Sequence, residues 1–155
     1  MLLYLLRHAD ADTVPVRGDD RPLSEKGKGQ AKDVARFCKE NEVAPALILS
    51  SPLLRAHETA QPVAETLKVP VTVVPWLDSG MRPETALEEL KAYRSHPGVM
   101  IVGHEPDFSA LVAHLVGLPS PTLIHVRKGS LTAVQIDVLR AGAGRLEFSI
   151  PCKMM

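Results

Sequence analysis

Two uninterrupted apolar runs constrain this chain most: Leu2-Leu3-Tyr4-Leu5-Leu6, and Val99-Met100-Ile101-Val102-Gly103 further along. A strand that is apolar at every residue has no face to give to water. It belongs in a sheet covered on both sides, which in practice means mostly parallel strands with helices above and below. Each run ends in a histidine, Arg7-His8 after the first and His104 after the second. Groups that do chemistry in open α/β sheets project from the carboxyl ends of strands, beside helix N-termini. These two histidines are therefore the first candidate functional residues.

The remaining periodicity alternates between strand and helix. A strand over 2–6 is followed by a polar loop from Asp10 to Pro22. A helix N-capped by Ser24 then runs to about Glu40, with Ala31, Val34, Ala35 and Cys38 as its apolar stripe. A short strand at 46–49 leads to a helix opened by Pro52 and running to about Leu67. A β-branched strand at 71–74 precedes a helix from Pro83 that carries Leu87, Leu90 and Tyr93. The strand at 99–102 leads to a helix marked by Phe108, Leu111, Val112 and Leu115 and closed by Gly117. Segments 131–138 and 145–150, separated by Ala141-Gly142-Ala143-Gly144, read as an antiparallel hairpin. With no repeat and no linker, the expectation is one domain over 1–155. Its class is α/β, a three-layer α/β/α sandwich around a mostly parallel sheet.

Composition removes several classes of function. Lys+Arg and Asp+Glu balance at 18 each, so no global field favours nucleic acid or an anionic membrane, and only a local cationic pocket remains open. Aromatic residues make up 4% of the chain, too few for base-stacking platforms. No apolar run approaches the roughly 18 residues of a membrane span. Met1 to Leu6 lacks the basic region and small-residue cleavage site of a signal peptide. Cys38 and Cys152 follow no metal or disulfide spacing. The expectation is a cytoplasmic monomer without metal or cofactor, with no nucleic acid and no membrane among its partners.

The second strand exits through Ser50-Ser51-Pro52-Leu53-Leu54-Arg55, which puts Arg55 in the first turn of a helix whose amides already attract anions. Its planar fork of N–H donors suits phosphate. The first strand supplies Arg7 and the fourth supplies His104, so three donors converge on His8. That cluster fits a phosphoryl group held by positive charge while a neutral imidazole attacks it in line.

Four segments, in order, resemble the histidine phosphatase superfamily, also called the phosphoglycerate mutase-like family. They are Arg7-His8-Ala9, Leu23-Ser24-Glu25-Lys26-Gly27-Lys28-Gly29-Gln30-Ala31, the stretch from Ser51 to Ala60, and Gly103-His104. Within it, Arg21-Pro22-Leu23 and Gly103-His104-Glu105-Pro106 are similar to the short phosphohistidine phosphatases of the SixA type. The resemblance implies a six-stranded mixed sheet with one antiparallel strand, the fifth, in agreement with the hairpin. It implies that His8 becomes phosphohistidine, that Arg7, Arg55 and His104 bind the phosphoryl group, and that no metal is needed. The expected substrate is a phosphohistidine-bearing protein of a phosphotransfer or signalling system, with inorganic phosphate left in the pocket. The alternative is a small-molecule phosphomonoesterase.

The general acid stays open. Larger family members carry a glutamate in the loop after the third strand. Here residues 74–83 hold none, and Asp78 lies one residue from that place. Glu105, directly after the second histidine, matches another branch. An acid-poor site suits phosphohistidine, which can protonate its own ring near neutral pH and leave as neutral imidazole. Arg21 reads either as a substrate contact or as a partner of Asp19 or Asp20. Ser51 reads as a pocket hydrogen bond or a Ser-Pro turn, His57 as structural or at the pocket mouth, and Lys128-Gly129 as a turn.

Overall fold

Leu3 and Leu5 pack on one face of the first strand and Tyr4 and Leu6 on the other, and all four are buried. This is the period-two alternation of a strand with a core on each side. The computed structural model describes residues 1–18 and 20–155, and its sheet is built on that strand. The strands are β1 (Leu2–Arg7), β2 (Ile48–Ser50), β3 (Val71–Val73), β4 (Gly98–Gly103), β5 (Leu131–Ile136) and β6 (Gly144–Ile150). They lie in the order β3-β2-β4-β1-β5-β6. The first four in that order are parallel, β5 runs against β1, and β6 runs against β5. One antiparallel strand in a six-stranded mixed sheet is the expected arrangement.

The helices are α1 (Glu25–Glu40), α2 (Leu54–Leu67), α3 (Pro83–Leu90) and α4 (Asp107–Val116). Val34, Ala35 and Cys38 of α1 and Ala56, Ala60 and Val63 of α2 bury against Tyr4, Leu6, Ile48 and Met100. Leu90 of α3 and Phe108, Leu111 and Leu115 of α4 bury against Leu3, Leu5, Leu49 and Ile101 on the opposite face. Ser24 caps α1 as read from the sequence, its Oγ accepting the Gly27 amide at 3.0 Å. Gly117, at φ +75°, closes α4, a backbone state that glycine adopts without steric cost.

Four boundaries differ from expectation, the first being that β2 starts at Ile48 rather than at residue 46. Pro52 does not open α2, which starts at Leu54 after an extended Leu53. The amides of Leu53 and Leu54 find acceptors outside the helix, in Ser51 Oγ at 3.2 Å and Asp20 Oδ1 at 2.8 Å, so the turn completes before the helix begins. The third helix stops at Leu90, and Tyr93 lies in a 3₁₀ turn over Lys91–Tyr93. β5 ends at Ile136, opposite Gly144 where β6 begins, and leaves Val138 exposed.

Candidate active site

Register brings the site together. Arg7 pairs with Gly103 and Ser50 with Val102. The His8 amide then donates to Gly103 O at 3.0 Å and the Ser51 amide to Val102 O at 2.9 Å. The ends of β1, β4 and β2 are thus level. The chain leaves β1 and β2 towards the α1–α2 face but leaves β4 towards the α3–α4 face. Between connections that diverge in this way a crevice opens at the carboxyl edge.

His8 and His104 meet in that crevice with ring centroids 5.3 Å apart, and both are buried. His8 Nδ1 lies 2.7 Å from the Ala9 carbonyl oxygen. A carbonyl can only accept, so Nδ1 carries the proton and Nε2 holds the lone pair. Burial pushes the His8 pKa down from 6.5 to about 3. Its bond to Ala9 opposes this shift, while His104, Arg55 and Arg7 add to it. Burial likewise lowers His104 to about 4; Arg55 and Arg7 add to this and Asp78 opposes it. Both rings are neutral at pH 7. His104 Nε2 lies 2.7 Å from Ser51 Oγ, which already accepts the Leu53 amide. The Ser51 proton has no other acceptor among the described residues, so it is assigned to Nε2 and the ring proton of His104 to Nδ1. Both sequence readings of Ser51 hold: it makes the turn and it orients a pocket histidine.

Arg7 is anchored by Nη1, which donates to Val126 O at 2.9 Å. Arg7 Nε, Arg55 Nε and His104 Nδ1 are buried donors without a hydrogen-bond partner among the described residues. Burial lowers the pKa of both guanidinium groups. Glu105 opposes that at Arg7; at Arg55, Arg21 adds to it while Asp20 and Asp78 oppose it. Arg7, Arg55 and His104 thus lie close enough to His8 to act on it electrostatically.

The structure separates the two candidate acids. Glu105 uses both carboxylate oxygens on Ser109, accepting its amide at 2.8 Å and its hydroxyl at 2.7 Å. It serves as a cap inside the first turn of α4. Asp78 is exposed, accepts the Ser79 amide at 2.7 Å, and acts electrostatically on both His104 and Arg55. Arg21 lies near Arg55 and reaches Asp12 O at 3.4 Å. Asp20 is not its ion-pair partner, because the Asp20 carboxylate caps α2 at Leu54; Asp19 lies outside the described residues. His57 Nε2 accepts from Gln61 Nε2 at 2.9 Å.

A supporting network stands behind these groups that the sequence alone does not reveal. Thr59 Oγ1 accepts the Ala9 amide at 3.0 Å and donates to Arg55 O at 2.7 Å, tying the nucleophile's loop to the helix that carries the arginine. Gln30 Oε1 accepts the Asp10 amide and Glu58 accepts the Leu23 amide. Gly27 lets α1 approach that loop, since a Cβ there would lie 1.9 Å from Asp10 O. Asp107, at the start of α4, accepts the Gly80 and Met81 amides and so holds the Asp78 loop in place. Lys128 is more than a turn residue: it pairs with Asp10 at 2.8 Å. The signal for Gly27, Gln30 and Thr59 was their place in the segments that resemble the family, which shows position but not role.

Residues 3–79, which hold β1, α1, β2, α2 and β3, match the histidine phosphatase superfamily (branch 1). An uncharacterized protein of Picosynechococcus sp. (strain ATCC 27264 / PCC 7002 / PR-6) is 30% identical over 155 residues, covering 95% of this chain and 89% of that one. The chain belongs to the histidine phosphatase superfamily. As a member it is a phosphatase. Phosphohistidine phosphatase SixA of Escherichia coli (strain K12) is 26% identical over 160 residues, covering 99% of this chain and 96% of that protein. The structure of the protein histidine phosphatase SixA complexed with tungstate superposes with a TM-score of 0.89 at 25% identity, covering 99% of each chain. Adenosylcobalamin/alpha-ribazole phosphatase of the same E. coli strain is 23% identical, covering 88% of this chain and 91% of its own. Among the described residues no helix is long and apolar enough to cross a membrane.

Proposed function

We propose that this histidine phosphatase is a phosphohistidine phosphatase, working through covalent phosphohistidine on His8 without a metal. Its substrate is a phosphohistidine-bearing protein of a phosphotransfer or signalling system. The observation that supports this most is that the three groups acting electrostatically on His8, namely Arg7, Arg55 and His104, each keep a buried nitrogen (Nε, Nε and Nδ1) without a hydrogen-bond partner among the described residues. A buried donor without an acceptor costs about 1–3 kcal/mol, so three around one imidazole suit an oxyanion that supplies the acceptors. Tungstate, a tetrahedral oxyanion, is the ligand of the SixA structure that superposes on this chain.

In the first step the lone pair on His8 Nε2 forms a P–N bond while the bond from phosphorus to the leaving group breaks. The leaving group takes that electron pair and a proton. Arg7, Arg55 and His104 face the phosphoryl oxygens, where charge is spread in the transition state. In the second step water attacks phosphorus, the P–N bond to His8 breaks, and phosphate leaves. Asp78 is the proposed proton donor, since Glu105 is committed to Ser109, and Arg21 stands at the mouth beside Arg55. An exposed carboxylate is a weak acid device, which suits a leaving imidazole better than an alkoxide. The alternative, a small-molecule phosphomonoesterase, draws on the likeness to adenosylcobalamin/alpha-ribazole phosphatase.

The test presents a phosphorylated histidine-phosphotransfer domain, p-nitrophenyl phosphate, sugar phosphates and phosphoserine peptides to the chelator-treated enzyme. The phosphohistidine protein should have the highest kcat/KM and alkyl phosphates the lowest. A sugar phosphate as the best substrate would give the second reading the lead, and dependence on added magnesium or zinc would overturn the metal-free site.

A further inference from the structure

Next to the crevice, on the β5–β6 side of β1, lies a cleft of about 410 Å³ with an unbalanced wall. Arg7, Lys26, Arg127, Lys128 and Lys153 line it, against one carboxylate, Asp10, which is itself paired to Lys128 at 2.8 Å. These cations come from the end of β1, the first turn of α1, the loop before β5 and the segment after β6. Five cations on one wall are a strong local excess in a chain whose formal net charge is +0. Arg7 belongs to both places: its guanidinium lines the cleft, is fixed by Val126 O, and acts electrostatically on His8 and His104. Arg7 is thus the residue that the two places share.

We propose that this cleft docks an acidic segment of the protein that carries the scissile phosphate. The inference rests on the phosphohistidine reading and deepens it. Lys26, Arg127, Lys128 and Lys153 are exposed and stand on three separate segments. They form an open, multipoint surface that fits several carboxylates of a protein better than one enclosed small anion. Each exposed pair contributes little alone. Together they set encounter rate and orientation more than grip. The docked segment therefore acts on KM and on salt dependence, leaving the chemical step to the crevice.

The test uses Arg127→Glu/Lys153→Glu, a double charge reversal of two side chains that carry no hydrogen bond or ion pair among those described. Two phosphohistidine peptides, with flanking residues either Asp and Glu or Gln, are compared at low and high salt. A second measurement asks whether unphosphorylated hexa-aspartate inhibits p-nitrophenyl phosphate hydrolysis. The wild type should prefer the acidic peptide by about tenfold in kcat/KM at low salt, and hexa-aspartate should inhibit it. The double variant should lose both effects while its p-nitrophenyl phosphate turnover stays within about twofold of wild type. No preference and no inhibition in the wild type, or inhibition equal in both proteins, overturns the docking site. Hexa-aspartate inhibition that vanishes in the double variant, with neither peptide hydrolysed by the wild type, upholds the docking site and rejects the phosphohistidine reading.

Discussion

The crevice and the cleft hold positive charge in opposite physical forms. In the crevice the donors are buried and individually tethered: Arg7 to Val126 O, His104 to Ser51, His8 to Ala9 O. In the cleft the cations are exposed lysines and an arginine on separate segments. Buried, oriented dipoles keep their strength because water does not screen them, whereas exposed charges are weakened by salt within a Debye length of about 8–10 Å. The proposed roles follow this division, rate in the first region and partner choice in the second. Perturbing each should give a different signature.

The largest effect is expected at His8. His8→Ala removes the lone pair proposed to take the phosphoryl group, and turnover should vanish for every substrate. Quenching wild-type turnover in alkaline detergent should trap a phosphoenzyme, base-stable and acid-labile, that the variant lacks; measurable turnover by His8→Ala would end the assignment. Next come Arg55→Ala and His104→Ala, each removing one oriented donor to developing charge. A drop of roughly 10²–10³ in kcat is expected, equally at low and high salt. A loss that salt mimics would move these groups to the cleft's side of the comparison.

The acid limb of stability sharpens the contrast further. Folding lowers His8 to about 3 and His104 to about 4, so below pH 6.5 the unfolded chain takes up protons that the folded chain refuses. Stability should fall as pH drops from about 6.5 towards 4, by up to about 1.4 kcal/mol per pH unit for each ring. The loss levels off once the folded rings titrate. Urea midpoints of wild type and His104→Gln across that range measure it, and a slope unchanged by the substitution would show that the ring is not desolvated. Added phosphate, an anion that favours the imidazolium, should flatten the slope.

The smallest effects concern the acids. Asp78→Asn should slow phosphohistidine hydrolysis less than about tenfold, short of the 10²–10⁴ attributed to general acid catalysis. Glu105→Gln should leave the rate near wild type while costing about 1 kcal/mol of stability through its cap. A collapse of alkyl phosphate turnover from a high wild-type rate in Asp78→Asn would reveal a working acid and favour the small-molecule reading.

The crevice was legible in the sequence because each of its residues ends a contiguous element: a strand stops at Arg7-His8, another at Gly103-His104, and a helix starts beside Arg55. Strand β2 was read two residues early, since its limits follow from pairing with β4 and β3 rather than from its own residues. The supporting network was not legible. Thr59, Gln30, Glu58 and Asp107 each act on an amide 50, 20, 35 or 27 residues away, and only register brings them there. The cleft was hidden for the same reason, its cations being spread from Arg7 to Lys153.

One consequence follows from the way the chain leaves β1. The amides of His8, Ala9 and Asp10 donate in succession to Gly103 O of β4, Thr59 Oγ1 of α2 and Gln30 Oε1 of α1. Three consecutive residues are fastened to three different elements, so this segment cannot open by local fraying. In hydrogen–deuterium exchange these amides should belong to the slowest class, exchanging only with global unfolding, although they lie in a connection rather than in regular structure. The nucleophile is thereby placed in the last part of the molecule to come apart.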